Sequence, residues 1–351
     1  MKTITVHAST TYEILIENGL LAQCGEKIRS VSDAKKAVVV TDDIVGPLYA
    51  EQTTASLQAA GVETTVFTFP HGEEQKSHAT LLSLYSFLCA QNITRKDILV
   101  ALGGGVVGDL TGFAAATFQR GMAFVQIPTT LLAQIDSSVG GKTGVNIPEG
   151  KNLVGAFKQP LLVLCDPAVL DTLPTETFCD GVAEAIKYGA IEDAALFALL
   201  DSDKMRSRLD EVIYTCVDIK RRLVEADEFD TGSRMLLNFG HTFGHAIEQH
   251  YAYQRYTHGQ AVAIGMVKMT RLFEQSGLTL PQTTEQLENA LRRYRLPVSD
   301  EVDDQALVSA CLHDKKSLGG TIHLIGVRKI GESFIHSIPA AGFAKFIEGG
   351  R

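Results

Sequence analysis

The sequence predicts an α/β N-terminal domain built on a parallel sheet, followed by a mainly α-helical C-terminal domain. Three observations predict it. Up to about residue 128, short apolar runs alternate with stretches of helical periodicity, as in a parallel sheet covered by helices. From about Leu173 a period near 3.6 takes over. The chain's 351 residues also exceed what one hydrophobic core usually serves. The boundary is placed after the Leu-Pro turn, giving domains 1–174 and 175–351.

In chain order, residues 4–16 alternate well enough for a hairpin. Lys36–Thr41 is a buried strand ending at Asp42 and Asp43. Residues 47–60 are helical and stop at Gly61, and Val62–Phe69 is a second strand closed by Pro70-His71-Gly72. A helix over 77–91 leads to the strand Ile98–Leu102, which runs into GGGVVGD (103–109) and a small-residue helix over 110–118. Phe124–Ile127 is a further strand, ending at Pro128-Thr129-Thr130. Ligands of such a sheet belong at the carboxyl ends of its strands. Beyond the boundary, helices are expected over 176–200, 204–227, 234–252, 258–276, 284–295 and 302–313, with one strand or hairpin arm at Thr321–Val327.

Net charge is −9, which argues against a nucleic-acid partner. No apolar run approaches the roughly 20 residues of a membrane span. The N-terminus lacks the apolar core of a signal peptide. Six scattered cysteines with no CxxC pair fit free thiols in a reducing cytosol, so a cytoplasmic location is expected. An anionic small molecule stays possible if basic residues are concentrated at one site.

Gly103, Gly105 and Gly108 fit GxGxxG between a strand and a helix, which makes the sheet Rossmann-like. They serve either a pyrophosphate or a packing turn. No acid stands about 20 residues on, where that fingerprint places one, so Asp42 either holds a ribose or caps a helix. Lys142 and Lys151 lie in glycine-rich stretches beside Asp136 and Asn152, a setting for phosphate or carboxylate; the P-loop spacing is absent, because residue 136 is Asp. Glu184 and Lys187 share a helix face among small apolar residues, so both are expected to be at least partly buried. His241 and His245 stand four apart, flanked by Gly240 and Gly244, and His258 precedes a glycine. Two of these three histidines with one acid would form a metal site with an open position, and spacing does not say which two.

Together these segments resemble the 3-dehydroquinate synthases of the sugar phosphate cyclase superfamily. The resemblance runs in register from about Asp42 to Gly320: PxGExxK (70–76), GGGVVGD (103–109), RG…QIPTTLLAQIDSSVGGKTGVN (120–146), GKNLVGAF (150–157), LPxxxFxxGVAEAIKYG (173–189), LLNFGHTFGHAIE (236–248), HGQAVAIGM (258–266) and DKK (314–316). It implies a metal, zinc with cobalt able to substitute, on Glu184, His241 and His258, which leaves His245 for proton transfer and substrate contact. It implies NAD at Asp42, the turn His71, Gly72, Glu73, Glu74, Gln75 and Lys76, the loop Gly105, Val106, Val107, Gly108 and Asp109, then Thr129, Thr130, Lys142, Lys151, Val169, Leu170, Asp171 and Thr172. It implies substrate contacts from Arg120, Asp136, Lys142, Asn152, Lys220, Arg234, Leu237, Asn238, His245, Lys315 and Lys316, and catalytic parts for His245, Asp230, Lys142, Lys187, Arg234 and Asn238. Asp230 stands where the family usually has Glu, and Gln260 where many relatives have Glu after HG.

The activity implied belongs to the shikimate pathway of aromatic amino acid biosynthesis. 3-Deoxy-D-arabino-heptulosonate 7-phosphate becomes 3-dehydroquinate and phosphate by transient NAD-dependent oxidation, phosphate elimination, re-reduction and intramolecular aldol closure. Its two anionic groups account for the basic residues in an acidic chain. The resemblance also implies a homodimer, an active site in the cleft between the domains, and an Arg120 that could act across the dimer interface. Alternative readings are another sugar phosphate cyclase making a valiolone or an inosose, a metal-dependent polyol dehydrogenase, or a non-catalytic NAD-binding protein.

Overall fold

The structure, a computed structural model, describes residues 1–230, 232–315 and 320–347. The chain forms two compact units: Met1–Pro174 with Lys220–Phe229, and Thr175–Ile219 with Asp230–Arg351.

The first unit opens with the hairpin β1 (Lys2–His7) and β2 (Thr11–Ile16), then α1 (Cys24–Val31), β3 (Lys36–Asp42), α2 (Gly46–Ala59), β4 (Glu63–Phe69) and α3 (His78–Ala90). It continues with β5 (Ile98–Gly103), α4 (Gly105–Thr117), β6 (Ala123–Pro128), β7 (Lys142–Ile147), β8 (Gly150–Phe157) and β9 (Leu162–Cys165). Seven strands form one sheet in the order β1-β2-β9-β6-β5-β3-β4, with every neighbouring pair parallel except β1–β2. The fold is therefore the Rossmann-like α/β one that the alternation predicts.

Two cores explain why the central strands are continuous apolar runs. Ala37 and Val39 of β3, with Ile98, Val100 and Leu102 of β5, pack with Cys24 and Ile28 of α1 and Leu57 of α2. Their alternate neighbours Val38, Val40, Leu99 and Ala101 pack on Leu81 and Leu84 of α3 and Leu110 and Phe113 of α4. Successive side chains of a strand point to opposite faces, so a sheet covered on both sides takes apolar residues at every position. Each buried valine or leucine contributes on the order of 2 kcal/mol of transfer free energy.

The sheet also has a topological switch. The chain leaves β3 toward β4 on one side, then returns to β5 on the other side of β3. The carboxyl ends of β3, at Asp42, and of β5, at Gly103, flank that point, where open α/β sheets bind ligands.

The second unit holds α5 (Thr175–Glu192), α6 (Ala194–Leu200) and the first part of α7 (Leu209–Ala226). It continues with α8 (His241–His250), α9 (His258–Gln275), α10 (Thr283–Arg293), α11 (Asp304–Lys315), the hairpin β10 (Thr321–Lys329) and β11 (Glu332–Pro339), and α12 (Phe343–Ile347).

Several boundaries differ from the sequence reading. The helix expected over 110–118 begins at Gly105, because its cap is Gly104 within the glycine run itself. The stretch read as glycine-rich loops over 140–152 contains the antiparallel pair β7–β8, and β9 was not anticipated. The helix over 176–200 breaks at Asp193, whose side chain accepts from the Ala195 and Leu196 N–H groups and caps α6. The helix over 234–252 is two pieces: a 3₁₀ segment, Ser233–Asn238, and α8. Gly240 separates them in the left-handed region, at φ 81°. Arg234 and Asn238 therefore do not share a helix with His241.

Candidate active site

The metal-type cluster is built from three helices of the second unit. Glu184 lies in the middle of α5, His241 is the first residue of α8, and His258 is the first residue of α9. One ligand atom from each lies within 4.8 Å of the others. His241 Nε2 and His258 Nε2 are each 3.6 Å from Glu184 Oε1. The other nitrogen of each ring is also engaged: His241 Nδ1 faces the Phe239 carbonyl at 3.2 Å, and His258 Nδ1 faces Glu248 Oε2 at 3.5 Å. A ring held at Nδ1 presents Nε2 as a ligand, which is the usual arrangement around a bound cation. Two imidazoles and a carboxylate are also a donor set that zinc accepts. The residues present thus fit a divalent metal.

Glycines allow these helices to approach. A Cβ on Gly265 would sit 2.0 Å from the Gly240 carbonyl oxygen, and one on Gly244 would sit 3.2 Å from the Val262 Cα. A Cβ on Gly259 would meet the Asp180 backbone at 2.5 Å. Gly240, Gly244 and Gly265 are therefore packing residues of the α8–α9 contact, and Gly259 is one of the α5–α9 contact; together they set how closely the helices carrying the three side chains approach.

Burial shapes the charges. Glu184 and Lys187 are fully buried, as the small residues around them suggest, and they form an ion pair with each other. Burial alone raises the Glu184 carboxyl, but Lys187, His241 and His258 outweigh it and hold it well below the usual range. Burial, then the Lys187 charge, push His241 down to about 3. Burial also lowers His258, but Glu184 and Glu248 outweigh it and lift that group to about 10.

His245 lies one turn beyond His241 on α8 and is exposed, its ring centroid 5.3 Å from that of His241. Of the remaining residues in this unit, Arg234 is 2 % exposed and Leu237 is buried, while Asn238 is exposed. Asp230 is partly buried, with φ 60°. The Lys315 side chain and Lys316 lie outside the described residues. Gln260 completes a capping box: its Oε1 accepts from the Thr257 N–H at 3.1 Å, and the Thr257 hydroxyl accepts from the Gln260 N–H. Its amide also donates to Glu176 Oε1 at 3.2 Å.

In the first unit, the nucleotide-type residues gather at the carboxyl ends of the strands. Gly104 caps α4 without a side-chain hydrogen bond, and no acid stands in the first turn, which suits an anion at the helix start. Gly103 and Gly108 are packing positions, since Cβ atoms there would meet Val107 at 2.5 Å and the Gln126 side chain at 2.7 Å. The glycine run thus divides between the two readings. Asp42 braces the turn before α2 rather than capping the helix: its Oδ1 accepts from the Ile44 and Val45 N–H groups, while the cap position itself is Val45, which has no side-chain cap bond. Gly72 has φ 110° and opens the turn Glu73–Gln75, while His71 is exposed and Nδ1 pairs with Asp43 Oδ1 at 2.8 Å. Thr129 is buried behind its N–H bond to the Gly103 carbonyl, and the Thr130 hydroxyl accepts from the Ala133 N–H. Val169 and Leu170 are buried, so only their main chain is available to a ligand; the Tyr49 hydroxyl fixes that turn through the Val169 carbonyl and the Thr172 hydroxyl. Asp171 is exposed.

Two residue sets that the sequence reading keeps apart meet at Lys76. This ammonium, 4 % exposed, is 2.5 Å from both Asp109 Oδ2 and Asn152 Oδ1. Burial pulls its pKa down, but Asp109 and Glu73 outweigh that and hold it above the usual lysine value. Asn146 carries the link into β7: its amide donates to Glu73 Oε1 at 2.8 Å, and its side-chain oxygen accepts from the Asn152 N–H. Lys220 Nζ donates to the Asp136 carbonyl at 2.6 Å and pairs with the Asp136 carboxylate, on a π-helical turn, Ala133–Ser137. Lys142 starts β7 and is exposed, and Lys151 is the second residue of β8. Arg120 is exposed in a turn where it has φ 65°.

The sequence reading leaves out Glu248 and Asn146. Glu248 was within reach of it, because His241, His245 and Glu248 fall at i, i+4 and i+7, one face of a helix. Asn146 carries no such signal, since its role depends on how the β7–β8 hairpin folds.

Residues 66–180 match the family description 3-dehydroquinate synthase N-terminal, and residues 181–317 match 3-dehydroquinate synthase C-terminal. The chain belongs to the 3-dehydroquinate synthase family. It is 46 % identical to the 3-dehydroquinate synthase of Streptococcus sanguinis (strain SK36), over 96 % of this chain and 97 % of that one. Among solved structures it is similar to 2-epi-5-epi-valiolone synthase from Streptomyces hygroscopicus subsp. jinggangensis 5008, with NAD⁺ and Zn²⁺ bound (TM-score 0.87, 28 % identity, 98 % and 97 % covered). It also shares its fold with a 2-deoxy-scyllo-inosose synthase complexed with carbaglucose-6-phosphate, NAD⁺ and Co²⁺ (TM-score 0.87, 23 % identity, 100 % of both chains covered).

Proposed function

We infer that the chain converts 3-deoxy-D-arabino-heptulosonate 7-phosphate to 3-dehydroquinate and phosphate, as a lyase of the shikimate pathway that uses NAD and one divalent metal. The observation that carries this is the Glu184–His241–His258 cluster, with both rings held at Nδ1 and turned by Nε2 toward one carboxylate. The 46 % identity over 96 % of the chain favours this activity over the cyclases that make a valiolone or an inosose.

Glu184, His241 and His258 hold the metal, and the first unit's strand ends hold NAD. When bound, the metal supplies Lewis acidity toward a substrate hydroxyl, and NAD supplies a reversible hydride acceptor. The chain's own residues do the rest. Lys142, Arg234 and the Lys315–Lys316 pair bind the substrate's anionic groups. Asp136 and Asn152 are oriented by Lys220 and Lys76, and they offer oxygens to substrate hydroxyls. His245, exposed beside the metal ligands, moves protons at the substrate, with Asp230 assisting. Lys187 fixes the Glu184 carboxylate. No helix among the described residues is long and apolar enough to cross a membrane. Action in the cytoplasm as a homodimer is part of the reading that the family resemblance implies.

The test is incubation with the heptulosonate phosphate, zinc and trace NAD⁺. Phosphate release with a dehydroquinate product and no accumulating NADH is the expected result. NADH accumulation on glycerol would show a polyol dehydrogenase instead.

A further inference from the structure

We propose that Glu248 is a positioning residue for the metal, holding the His258 ring so that Nε2 faces the cation. The proposal rests on the metal reading above. His258 is strung between two carboxylates by its two nitrogens, with Nδ1 3.5 Å from Glu248 Oε2 and Nε2 3.6 Å from Glu184 Oε1. Glu248 is 4 % exposed, and a carboxylate is costly to bury unless it faces a donor or a positive group. The two ligand histidines differ in what holds them. His241 Nδ1 faces a main-chain carbonyl, at Phe239, which no substitution removes. His258 depends on a side chain. The Thr257–Gln260 capping box fixes its backbone at the start of α9, but leaves the imidazole free to turn about its own bonds. A ring flip would exchange Nε2 for a carbon at the metal position, and the Glu248 carboxylate opposes that flip. Glu248, His245 and His258 also bring ligand atoms within 4.8 Å of one another, so the same carboxylate lies beside the proposed proton-transfer histidine.

Three forms are compared: the parent, Glu248→Ala and the near-isosteric Glu248→Gln. Zinc affinity and stoichiometry are measured by competition with a chromophoric chelator, and the Co²⁺ visible spectrum is recorded for each. Thermal melting in excess chelator and NAD binding serve as controls. The parent should bind one zinc per chain. Glu248→Ala should bind zinc about 10–100-fold more weakly, with a changed Co²⁺ spectrum. Glu248→Gln should lose less, because its amide oxygen still accepts from Nδ1–H; it keeps the comparison available where the alanine variant fails to fold. Affinities of both variants within twofold of the parent would overturn the proposal. So would two zincs per parent chain with one lost in Glu248→Ala, which would make Glu248 a ligand of a second ion. A parent that binds no zinc would overturn the metal reading itself, and this inference with it.

Discussion

The nucleotide-type end of the first unit and the metal-type cluster of the second are built from different materials. The first presents mostly main chain, the N–H groups of α4 behind Gly104 and buried threonine and valine turns whose side chains face the core, with one side-chain network around Lys76 beside it. The second presents side chains, a carboxylate and two rings, whose aim depends on partners at their far nitrogens. A site of main-chain donors is fixed once the sheet folds. A site of side-chain ligands fails with any one ligand, or with any shift of the helices that carry them.

The largest expected effect breaks the second kind of site directly. His241→Ala and Glu184→Ala should both lose the metal, and activity should fall by more than about 1000-fold, since a Lewis acid contributes several kcal/mol to the barrier. The two should differ in stability. Glu184→Ala takes the carboxylate from beside buried Lys187, a change of the kind that costs about 3–5 kcal/mol, whereas His241→Ala leaves that pair intact. Urea unfolding of the metal-free proteins measures the gap. A fully active, metal-free His241→Ala protein would overturn the site.

A subtler break leaves every ligand in place. Gly265→Ala puts a methyl group 2.0 Å from the Gly240 carbonyl oxygen and 2.8 Å from the Gly244 nitrogen, both main-chain atoms that cannot turn aside. α8 must move away from α9, taking His241 away from His258. Overpacking of this kind costs about 1–3 kcal/mol, and zinc affinity should fall with it. NAD affinity, assigned above to the first unit, should not change; parallel loss of both would erase the contrast between the two regions.

Lys142→Ala sharpens the contrast inside the first unit. Removing one charge-assisted contact to an anionic group costs about 1.5–3 kcal/mol, so KM for the heptulosonate phosphate should rise roughly 10–150-fold. The Kd for NAD should change far less. Equal losses would make Lys142 as much a cofactor contact, which the resemblance also implies for it, as a substrate contact.

What the sequence made legible follows the same division. The sheet was readable because apolar residues fill both faces of β3 and β5, and three β-branched residues in a row, Val38-Val39-Val40, suit a strand buried on both sides far better than a helix. The metal-type cluster was readable in part from His241 and His245 as a helix face, but that face alone does not choose the group: His258, from the next helix, stands with His241 around Glu184. Helix faces report neighbours along one element, not across two. The β7–β8 hairpin was hidden because its core-facing residues, Val145, Val154 and Ala156, are few and small, while Leu153 and Phe157 are exposed, so apolar residues do not mark one face. The break before α8 was hidden because Phe239-Gly240 reads as a continuation of the helix until Gly240 adopts φ 81°.

The smallest expected effect concerns Gln260, which stands where many relatives carry Glu. Either side chain can accept from the Thr257 N–H, so the capping box survives the exchange. The amide does one thing more, donating to Glu176 Oε1 at 3.2 Å. Gln260→Glu would replace that hydrogen bond with two facing carboxylates on an exposed edge, while placing an acid in the first turn of α9. The repulsion and the favourable helix-start charge are each worth a few tenths of a kcal/mol and oppose one another. Stability should change by less than about 0.5 kcal/mol, with kcat unaltered, and the change should shrink further at high salt. The double variant Gln260→Glu with Glu176→Gln restores a donor–acceptor pair in the reverse sense and should recover the parent's melting temperature. A large loss of zinc affinity in the single variant would instead mean that the Gln260–Glu176 contact governs where His258 points, which is the part assigned above to Glu248.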